Sequence, residues 1–208
     1  MSNKTELNKV NNYFAEKMKT FGPTPRGVDY NSAESQEVRF FQLTNVLETN
    51  RKYSLLDFGS GYGALYDYLL RLGHKLQYFG YDISEAMIEK GRELHQEKVD
   101  CLYTCNIDEI PLVDYSVASG TFNMKLDIGN DEWTRIVIDS LNDMDKLSLK
   151  GIAFNMLTKY SDPEKMRPDL YYGDPLFFFD YCKNHYSKNV ALLHDYRLYD
   201  FTLIIRKD

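Results

Sequence analysis

The sequence has few cysteines and no long run of apolar residues. Its three cysteines, Cys101, Cys105 and Cys182, are a low and odd number, which argues against a disulfide framework and for a reducing compartment. No apolar run approaches the ~18 residues that a membrane-spanning helix needs. The opening MSNKTELNKV lacks the apolar core of a signal peptide. We therefore expect a cytoplasmic protein that does not engage a membrane.

Positive charge and metal-ligand patterns are also scarce. Lys and Arg number 25 against 31 Asp and Glu, which gives a net charge of −6. A protein that binds nucleic-acid backbones needs a basic face, so we expect no nucleic-acid partner. The spacing of Cys101 and Cys105 fits no zinc pattern, and no acidic cluster indicates a magnesium site. We therefore expect no metal.

Strand-like and helix-like segments alternate along most of the 208 residues. The predicted strands are 53–58, 75–81, 99–105, 115–119, 151–157, 189–194 and 200–206, and the predicted helices are 5–20, 64–72, 84–96, 131–147 and 175–186, with one more that begins after Asn31 or Ser32. This alternation is typical of βαβ units. We predict an α/β fold with a Rossmann-like, mostly parallel seven-stranded sheet and helices on both faces. The last strand is expected to be antiparallel because a hairpin-length connection precedes it.

The strongest motif is the segment DFGSGYG at the end of the first predicted strand. It places Asp57, Gly59, Gly61 and Gly63 at a strand-to-helix turn, and Asp82 ends the next strand. Glycines at such a turn permit positive φ angles and a close approach of the backbone to a ligand. A carboxylate after the second strand can accept hydrogen bonds from both hydroxyls of a ribose. The pair of features indicates a cofactor that contains ribose.

Two kinds of cofactor fit this motif. The segment also matches G-x-G-x-x-A, with Ala64 last, so a nicotinamide or flavin dinucleotide is one alternative. However, Asp57 precedes the turn, where its charge would be unfavourable for a pyrophosphate and favourable for an ammonium group. S-adenosylmethionine carries an ammonium group and no phosphate.

The loop, Asp82 and the closing hairpin together resemble class I S-adenosylmethionine-dependent methyltransferases. The resemblance covers about residues 31–208, the predicted methyltransferase domain, and residues 1–30 form a predicted N-terminal helix and cap loop of the same globular unit. It implies that the glycine loop packs against the methionine part of the cofactor and that Asp82 holds the ribose. The cofactor-binding residues that it implies are Arg39, Asp57, Gly59, Ser60, Gly61, Asp82, Ile83, Met87, Asn106, Ile107, Gly120 and Phe122.

Two polar residues before the glycine loop are candidates for the cofactor's carboxylate. Tyr30 and Arg39 lie in a segment similar to the cofactor lid of many family members, and a guanidinium fork suits a carboxylate. The alternative is that Arg39 lies on the surface and pairs with Glu34 or Glu37. The residues after the fourth predicted strand, 119–123, lack the Asn/Asp-Pro-Pro-Tyr motif of many methyltransferases that act on DNA and protein.

No motif identifies a catalytic base. Candidates for a catalytic role are Tyr30, Asn123 and His194, although His194 also has a purely structural interpretation. The long loop after the fifth predicted strand is of a kind that is often functional. Its candidate substrate-binding residues are Lys159, Tyr160, Arg167, Tyr171 and Tyr172. The alternative interpretation is that these residues belong to an ordinary solvated loop.

The resemblance implies an enzyme that moves the methyl group of S-adenosylmethionine and releases S-adenosylhomocysteine. The expected acceptor is an oxygen or nitrogen of a small soluble molecule, such as an anionic metabolite or a saccharide precursor, and the expected assembly is a monomer or homodimer. Two alternatives stay open at this point: an NAD-dependent oxidoreductase, and a non-catalytic module that binds S-adenosylmethionine.

The replacement Asp82→Ala tests the cofactor assignment. Loss of hydrogen bonds to a charged group is expected to weaken the binding of S-adenosylhomocysteine by at least ~1–3 kcal/mol. Calorimetric titration measures this, with NADH as the control ligand. Unchanged affinity in a folded variant would contradict the assignment of Asp82.

Overall fold

Seven strands form one sheet, in which a single strand runs against the others. The computed structural model describes residues 2–207, and the side chains of residues 6–207. The strands are β1 (Tyr53–Phe58), β2 (Leu76–Tyr81), β3 (Cys101–Thr104), β4 (Val113–Ala118), β5 (Ser148–Leu157), β6 (Asn189–Leu193) and β7 (Asp200–Arg206). Their order is β3-β2-β1-β4-β5-β7-β6, with β7 antiparallel to both neighbours. The predicted α/β class and the antiparallel last strand are confirmed.

Six helices flank the sheet. They are α1 (Ser2–Phe21), α2 (Ala33–Thr44), α3 (Ala64–Arg71), α4 (Glu85–Leu94), α5 (Asn130–Leu147) and α6 (Pro175–His185). Side-chain oxygens cap two of them, since Ser32 accepts from the N–H of Ser35 and Asp174 accepts from the N–H of Leu176. In the described part of the chain, no helix is both long and apolar enough to cross a membrane.

The two larger of the three apolar clusters in the described residues lie on opposite faces of the sheet. Successive side chains of a strand point to opposite faces, and on β5 Ile152 and Phe154 join one core while Ala153 joins the other. The first core includes residues of α1, α5 and α6, and the second includes residues of α2, α3 and α4. The helices are therefore divided between the two faces, as the alternating sequence pattern predicts.

The fourth and fifth strands begin earlier than the sequence pattern indicates. β4 begins at Val113 and β5 at Ser148, where polar residues interrupt the apolar runs. Asp114 and Lys150 lie on these two neighbouring strands, and their charged atoms are 2.6 Å apart. Because this ion pair joins the two strands, polar residues are tolerated at positions where the sequence alone suggests a loop.

The N-terminal helix packs on the same core as the strands. Val10 is buried in the first core, and Leu7 and Phe14 pack against it. Ion pairs of Lys9 with Asp127 and of Lys17 with Asp29 connect α1 to the rest of the chain. The division of the chain at residues 30 and 31 stays an interpretation of the sequence.

Two glycines with positive φ offer a matched test of packing at the start of α3. Gly63 (φ +94°) precedes α3, and a Cβ atom there would lie 2.0 Å from the hydroxyl oxygen of Tyr103. Gly73 (φ +81°) has no atom within 4 Å of such a Cβ. We expect Gly73→Ala to lower the free energy of unfolding by about 1–2 kcal/mol, the cost of the left-handed backbone alone. Gly63→Ala should lower the free energy of unfolding by roughly 1–3 kcal/mol more than Gly73→Ala does, because of overpacking against Tyr103. Urea unfolding measures both, and equal costs would contradict the packing at Gly63.

Candidate functional site

A cavity of about 560 Å³ lies beyond the carboxyl ends of the central strands. Its walls come from α1, α2, the loops that follow β1, β2 and β4, and the loops around residues 161–172 and 197–200. Its volume falls within the range of about 300–1,000 Å³ that is typical of small-molecule sites. The position also matches the rule that ligands of open α/β sheets bind beyond the carboxyl ends of the strands.

The glycine loop supplies a backbone wall of this cavity. Gly59 and Gly61 have φ angles of +79° and +54°, a region that favours glycine. A Cβ at Gly59 would lie 2.4 Å from the side chain of Thr121, so the two loops approach too closely for any other residue. The N–H groups of Gly59 and Ser60 donate to the carbonyl of Tyr81, at 2.7 and 2.9 Å. The loop is thereby attached to the end of β2.

Asp82 lies beside this loop with both carboxylate oxygens engaged. Oδ2 accepts from the N–H of Gly61 and Oδ1 from the N–H of Ser84, each at 2.9 Å. Burial raises the pKa of Asp82, and these backbone donors oppose that effect. An ionised carboxylate accepts about four hydrogen bonds. Asp82 therefore keeps capacity to accept from two ligand hydroxyls.

Asp57 lines the same cavity and is almost fully buried, with 2% of its surface exposed. The hydroxyl of Tyr78 donates to its Oδ2 at 2.6 Å. Burial, with a smaller effect of the nearby charge of Asp82, raises the pKa of Asp57 to about 7, although the hydrogen bond from Tyr78 lowers it. Because an adjacent cation would favour ionisation, this carboxyl group suits a positively charged ligand atom.

Arg39 lines the cavity but is engaged with another residue. Its Nε and Nη2 donate to the two oxygens of Asp200, at 3.1 and 2.5 Å, and Nη1 donates to the carbonyl of Ser35. The predicted alternative of a surface pair with Glu34 or Glu37 is wrong, because Asp200 from the first position of β7 is the partner. The predicted contact with a ligand carboxylate would compete with this buried pair.

Tyr30 is packed between Arg39 and the end of β4. The guanidinium carbon of Arg39 lies 5.1 Å from the centre of the Tyr30 ring, and the Tyr30 hydroxyl donates to the carbonyl of Ser119 at 2.9 Å. Burial raises the pKa of Tyr30 to about 12. Tyr30 therefore keeps its proton at neutral pH and is suited to hydrogen bonding more than to proton abstraction.

Hydrogen bonds with α5 and β5 help to hold the loop after β4. Asn155 Oδ1 accepts from the N–H of Gly120 at 2.7 Å, and the indole of Trp133 donates to the carbonyl of Phe122 at 2.8 Å. Asn123 Oδ1 accepts from the N–H of Leu157 at 2.9 Å. Asn155 was not predicted, although a lone polar residue within the apolar run GIAFNML of β5 is a signal that could have found it.

All but two of the predicted cofactor-binding residues line the cavity. Those that do are Arg39, Asp57, Gly59, Ser60, Gly61, Asp82, Ile83, Met87, Gly120 and Phe122. Asn106 and Ile107 do not line it, because Asn106 instead accepts from the N–H of Asp108 and begins a short 3-10 helix. The cofactor role of the residues that line the cavity stays a prediction.

The predicted catalytic and substrate residues are divided by the structure. Tyr30, Asn123, Arg167 and Tyr172 line the cavity. Those that do not line it are His194, which is exposed and packs on Tyr160; Lys159, which pairs with Asp174 at 2.7 Å; and Tyr171, which is buried against Thr134. His194, Tyr160, Lys159 and Tyr171 thus lie outside the cavity with local partners, and their roles in an acceptor pocket stay predictions.

An apolar wall was missed by the sequence analysis. Leu7, Val10 and Phe14 of α1 face Trp133 and Ile136 of α5 around the cavity. The sequence pattern predicts both helices but not that they cover a cavity. Within the described residues, no group of three or more potential ligands could hold a metal ion.

Comparisons with known proteins agree with this architecture. A family described as "Methyltransferase domain" matches residues 55–142. A protein of Mycobacterium tuberculosis, named "Putative methyltransferase Rv1506c", is 45% identical over 155 residues, which cover 74% of this chain and 93% of that protein.

Solved structures extend the similarity of fold to nearly the whole chain. The complex titled DhpI-SAM-HEP has a TM-score of 0.63 at 12% identity and covers 98% of this chain and 97% of its own. The 1,6-didemethyltoxoflavin-N1-methyltransferase of Burkholderia thailandensis, with bound 1,6-didemethyltoxoflavin and S-adenosylhomocysteine, has a TM-score of 0.61 at 17% identity, with coverages of 93% and 87%. The chain belongs to the class I S-adenosylmethionine-dependent methyltransferases.

The burial of Asp57 predicts a specific dependence of stability on pH. Its pKa is about 7 in the folded chain and 3.8 ordinarily, so the folded state binds the extra proton between these values. The contribution of Asp57 to the free energy of unfolding therefore falls as pH rises, by about 1.4 kcal/mol per pH unit between about pH 4 and pH 7. Asp57→Asn should remove this decline, and urea unfolding at several pH values measures it. Asp143→Asn, on the exposed surface of α5, is the control, and parallel pH curves for wild type and Asp57→Asn would contradict the prediction.

Proposed function

We propose that this enzyme transfers the methyl group of S-adenosylmethionine to an oxygen or nitrogen of a small soluble molecule. The observation that carries the proposal is the composition of the cavity. The glycine loop and the carboxylates of Asp57 and Asp82 form one side of it, and apolar side chains of α1 and α5 form another. One side suits a nucleoside with a cationic chain, and the other leaves room for an acceptor.

The residues on the cofactor side fit the chemistry of the donor. Asp82 has unused acceptor capacity for the two ribose hydroxyls. Asp57 would face the ammonium group, which would compensate the cost of burying an ionised carboxylate. Gly59 and Gly61 let the backbone approach the ligand closely. When bound, the donor supplies an electrophilic methyl carbon on a positively charged sulfur.

The protein's contribution to catalysis is proposed to be alignment and exclusion of water. Phe14, Trp133 and Ile136 give the acceptor side an apolar surface, and a dry, aligned site accelerates a displacement at carbon without further chemistry. Tyr30 and Asn123 line the cavity at the tip of β4 and are proposed to orient the acceptor through hydrogen bonds. Neither needs to act as a strong base.

Several features support a small acceptor. Helix α1 covers the cavity, so a long polymer would have to displace it to enter. The net charge of −6 disfavours nucleic acid. The buried carboxylates beside the glycine loop disfavour a dinucleotide pyrophosphate, and membership of the methyltransferase family leaves the oxidoreductase alternative without support. We propose that the protein works in the cytoplasm as a monomer or homodimer.

Transfer of a labelled methyl group tests this function. The enzyme is incubated with methyl-labelled S-adenosylmethionine and a cell extract that ultrafiltration has separated into small molecules and macromolecules. Label is expected in the small-molecule fraction. Asp82→Ala should lose most of this transfer, and Asp143→Asn should transfer as much label as the wild type. Label confined to macromolecules would contradict the small acceptor. Tight binding of S-adenosylhomocysteine with no transfer to either fraction would instead favour a non-catalytic binding module.

A further inference from the structure

A second cleft of about 350 Å³ adjoins the main cavity. It lies between the C-terminal part of α1, the segment 25–31 and the loop that follows β5. Asp29, Tyr30, Asn31 and Arg167 line both spaces. The cleft and the cavity are therefore neighbours that share one wall.

The cleft is lined by three cations and one carboxylate. Lys17, Arg26 and Arg167 contribute the positive charges and Asp29 the negative one. Asp29 is already engaged, because Lys17 pairs with one of its oxygens at 2.7 Å and Tyr13 donates to the other at 2.8 Å. The carboxylate is therefore partly neutralised, and the cleft keeps a net positive charge.

The two guanidinium groups differ in their engagement. Arg167 pairs with Asp169 on an exposed surface, which leaves other N–H donors of its fork free. The side chain of Arg26 is exposed and makes no hydrogen bond or ion pair with any residue that the structure describes. Exposed ion pairs contribute little to stability, so an anion can recruit both arginines at small cost.

The mouth of the main cavity continues this positive character. Lys165, which pairs with Asp162 at 3.2 Å in the same loop as Arg167, and Arg197 of the loop between β6 and β7 also line the cavity. Arg197 has a left-handed backbone (φ +58°), and in the described part of the chain its side chain has no ionic partner. In a chain of net charge −6, such a grouping of cations next to an enclosed site indicates an anionic ligand.

We propose that this basic cleft, formed by Lys17, Arg26 and Arg167, binds the phosphate group of a phosphorylated methyl acceptor, whose other end enters the cavity. The inference rests on the proposed function and names its substrate class. A phosphate monoester carries a charge of about −1.5 to −2 at neutral pH and three acceptor oxygens. The guanidinium fork of Arg26 and the free N–H donors of Arg167 can bind different oxygens of one phosphate, whereas a carboxylate ligand has only two oxygens and fills a single fork.

The test begins with the cofactor, so that a failure of the proposed methyltransferase function can be distinguished from a failure of the proposed phosphate site. Wild type and variants are first titrated with S-adenosylhomocysteine by calorimetry. The protein saturated with S-adenosylhomocysteine is then titrated with inorganic phosphate and, separately, with acetate. The variants are Arg26→Gln and Arg167→Gln. The matched control is Arg71→Gln, because Arg71 is a similarly exposed arginine that pairs with Glu37 and lines neither space.

Phosphate is expected to bind in preference to acetate. Each cleft variant should weaken phosphate binding by about fivefold or more, the effect of losing a charge-assisted contact at a partly exposed site. Arg71→Gln should leave phosphate binding unchanged, and all three variants should bind S-adenosylhomocysteine as the wild type does. Raised ionic strength should weaken phosphate binding to the wild type.

Four outcomes would overturn the proposal. Absence of phosphate binding in a protein that binds S-adenosylhomocysteine would remove the subsite and leave the methyltransferase function standing. An equal loss of phosphate affinity in Arg71→Gln would show that the protein attracts phosphate non-specifically. Preference for acetate would overturn the phosphate class. Weaker binding of S-adenosylhomocysteine to Arg167→Gln would assign that side chain to the cofactor's carboxylate instead.

Discussion

The parallel register of β2, β1 and β4 is the constraint on which the site depends. Asp57 of β1 is level with Gly80 of β2 and Val117 of β4, so the three strands end together and the loops that follow them meet. The carbonyl of Tyr81 then accepts from the glycine loop, and Thr121 packs against Gly59. A shift of one residue would turn the side chain of Asp57 to the other face of the sheet. The cavity follows from this alignment.

Burial of two carboxyl groups at this edge is costly, and the structure compensates it differently for each. Asp82 accepts two backbone N–H groups, whereas Asp57 accepts a single hydroxyl from Tyr78. Burial dominates at Asp57, whose pKa is about 7. Asp82 has two backbone donors and Asp57 a single donor, so the two acids favour different ligand groups, since hydroxyls suit the first and a cation the second. This division matches the ribose and the ammonium group of the proposed cofactor.

Local sequence patterns predicted the parts of the site that are contiguous in the chain. The loop from Asp57 to Gly63 and the strand that ends before Asp82 have distinctive local chemistry, and both lie where the pattern indicated. Asn106 begins a short 3-10 helix outside the cavity, and local sequence does not distinguish such a helix cap from a ligand contact. Asn155 was missed because its hydrogen bond joins β5 to Gly120 in the loop after β4, which is distant in sequence.

The sequence by itself determined the α/β class, the order of strands and helices, and the position of the acidic glycine loop. These depend on periodicity and on backbone requirements within a few residues. Tertiary structure alone decided that Arg39 pairs with Asp200, that α1 covers the cavity, and that Lys17 and Arg167 share one cleft. Those contacts join residues more than 100 positions apart, and their partners are set by how the helices pack on the sheet.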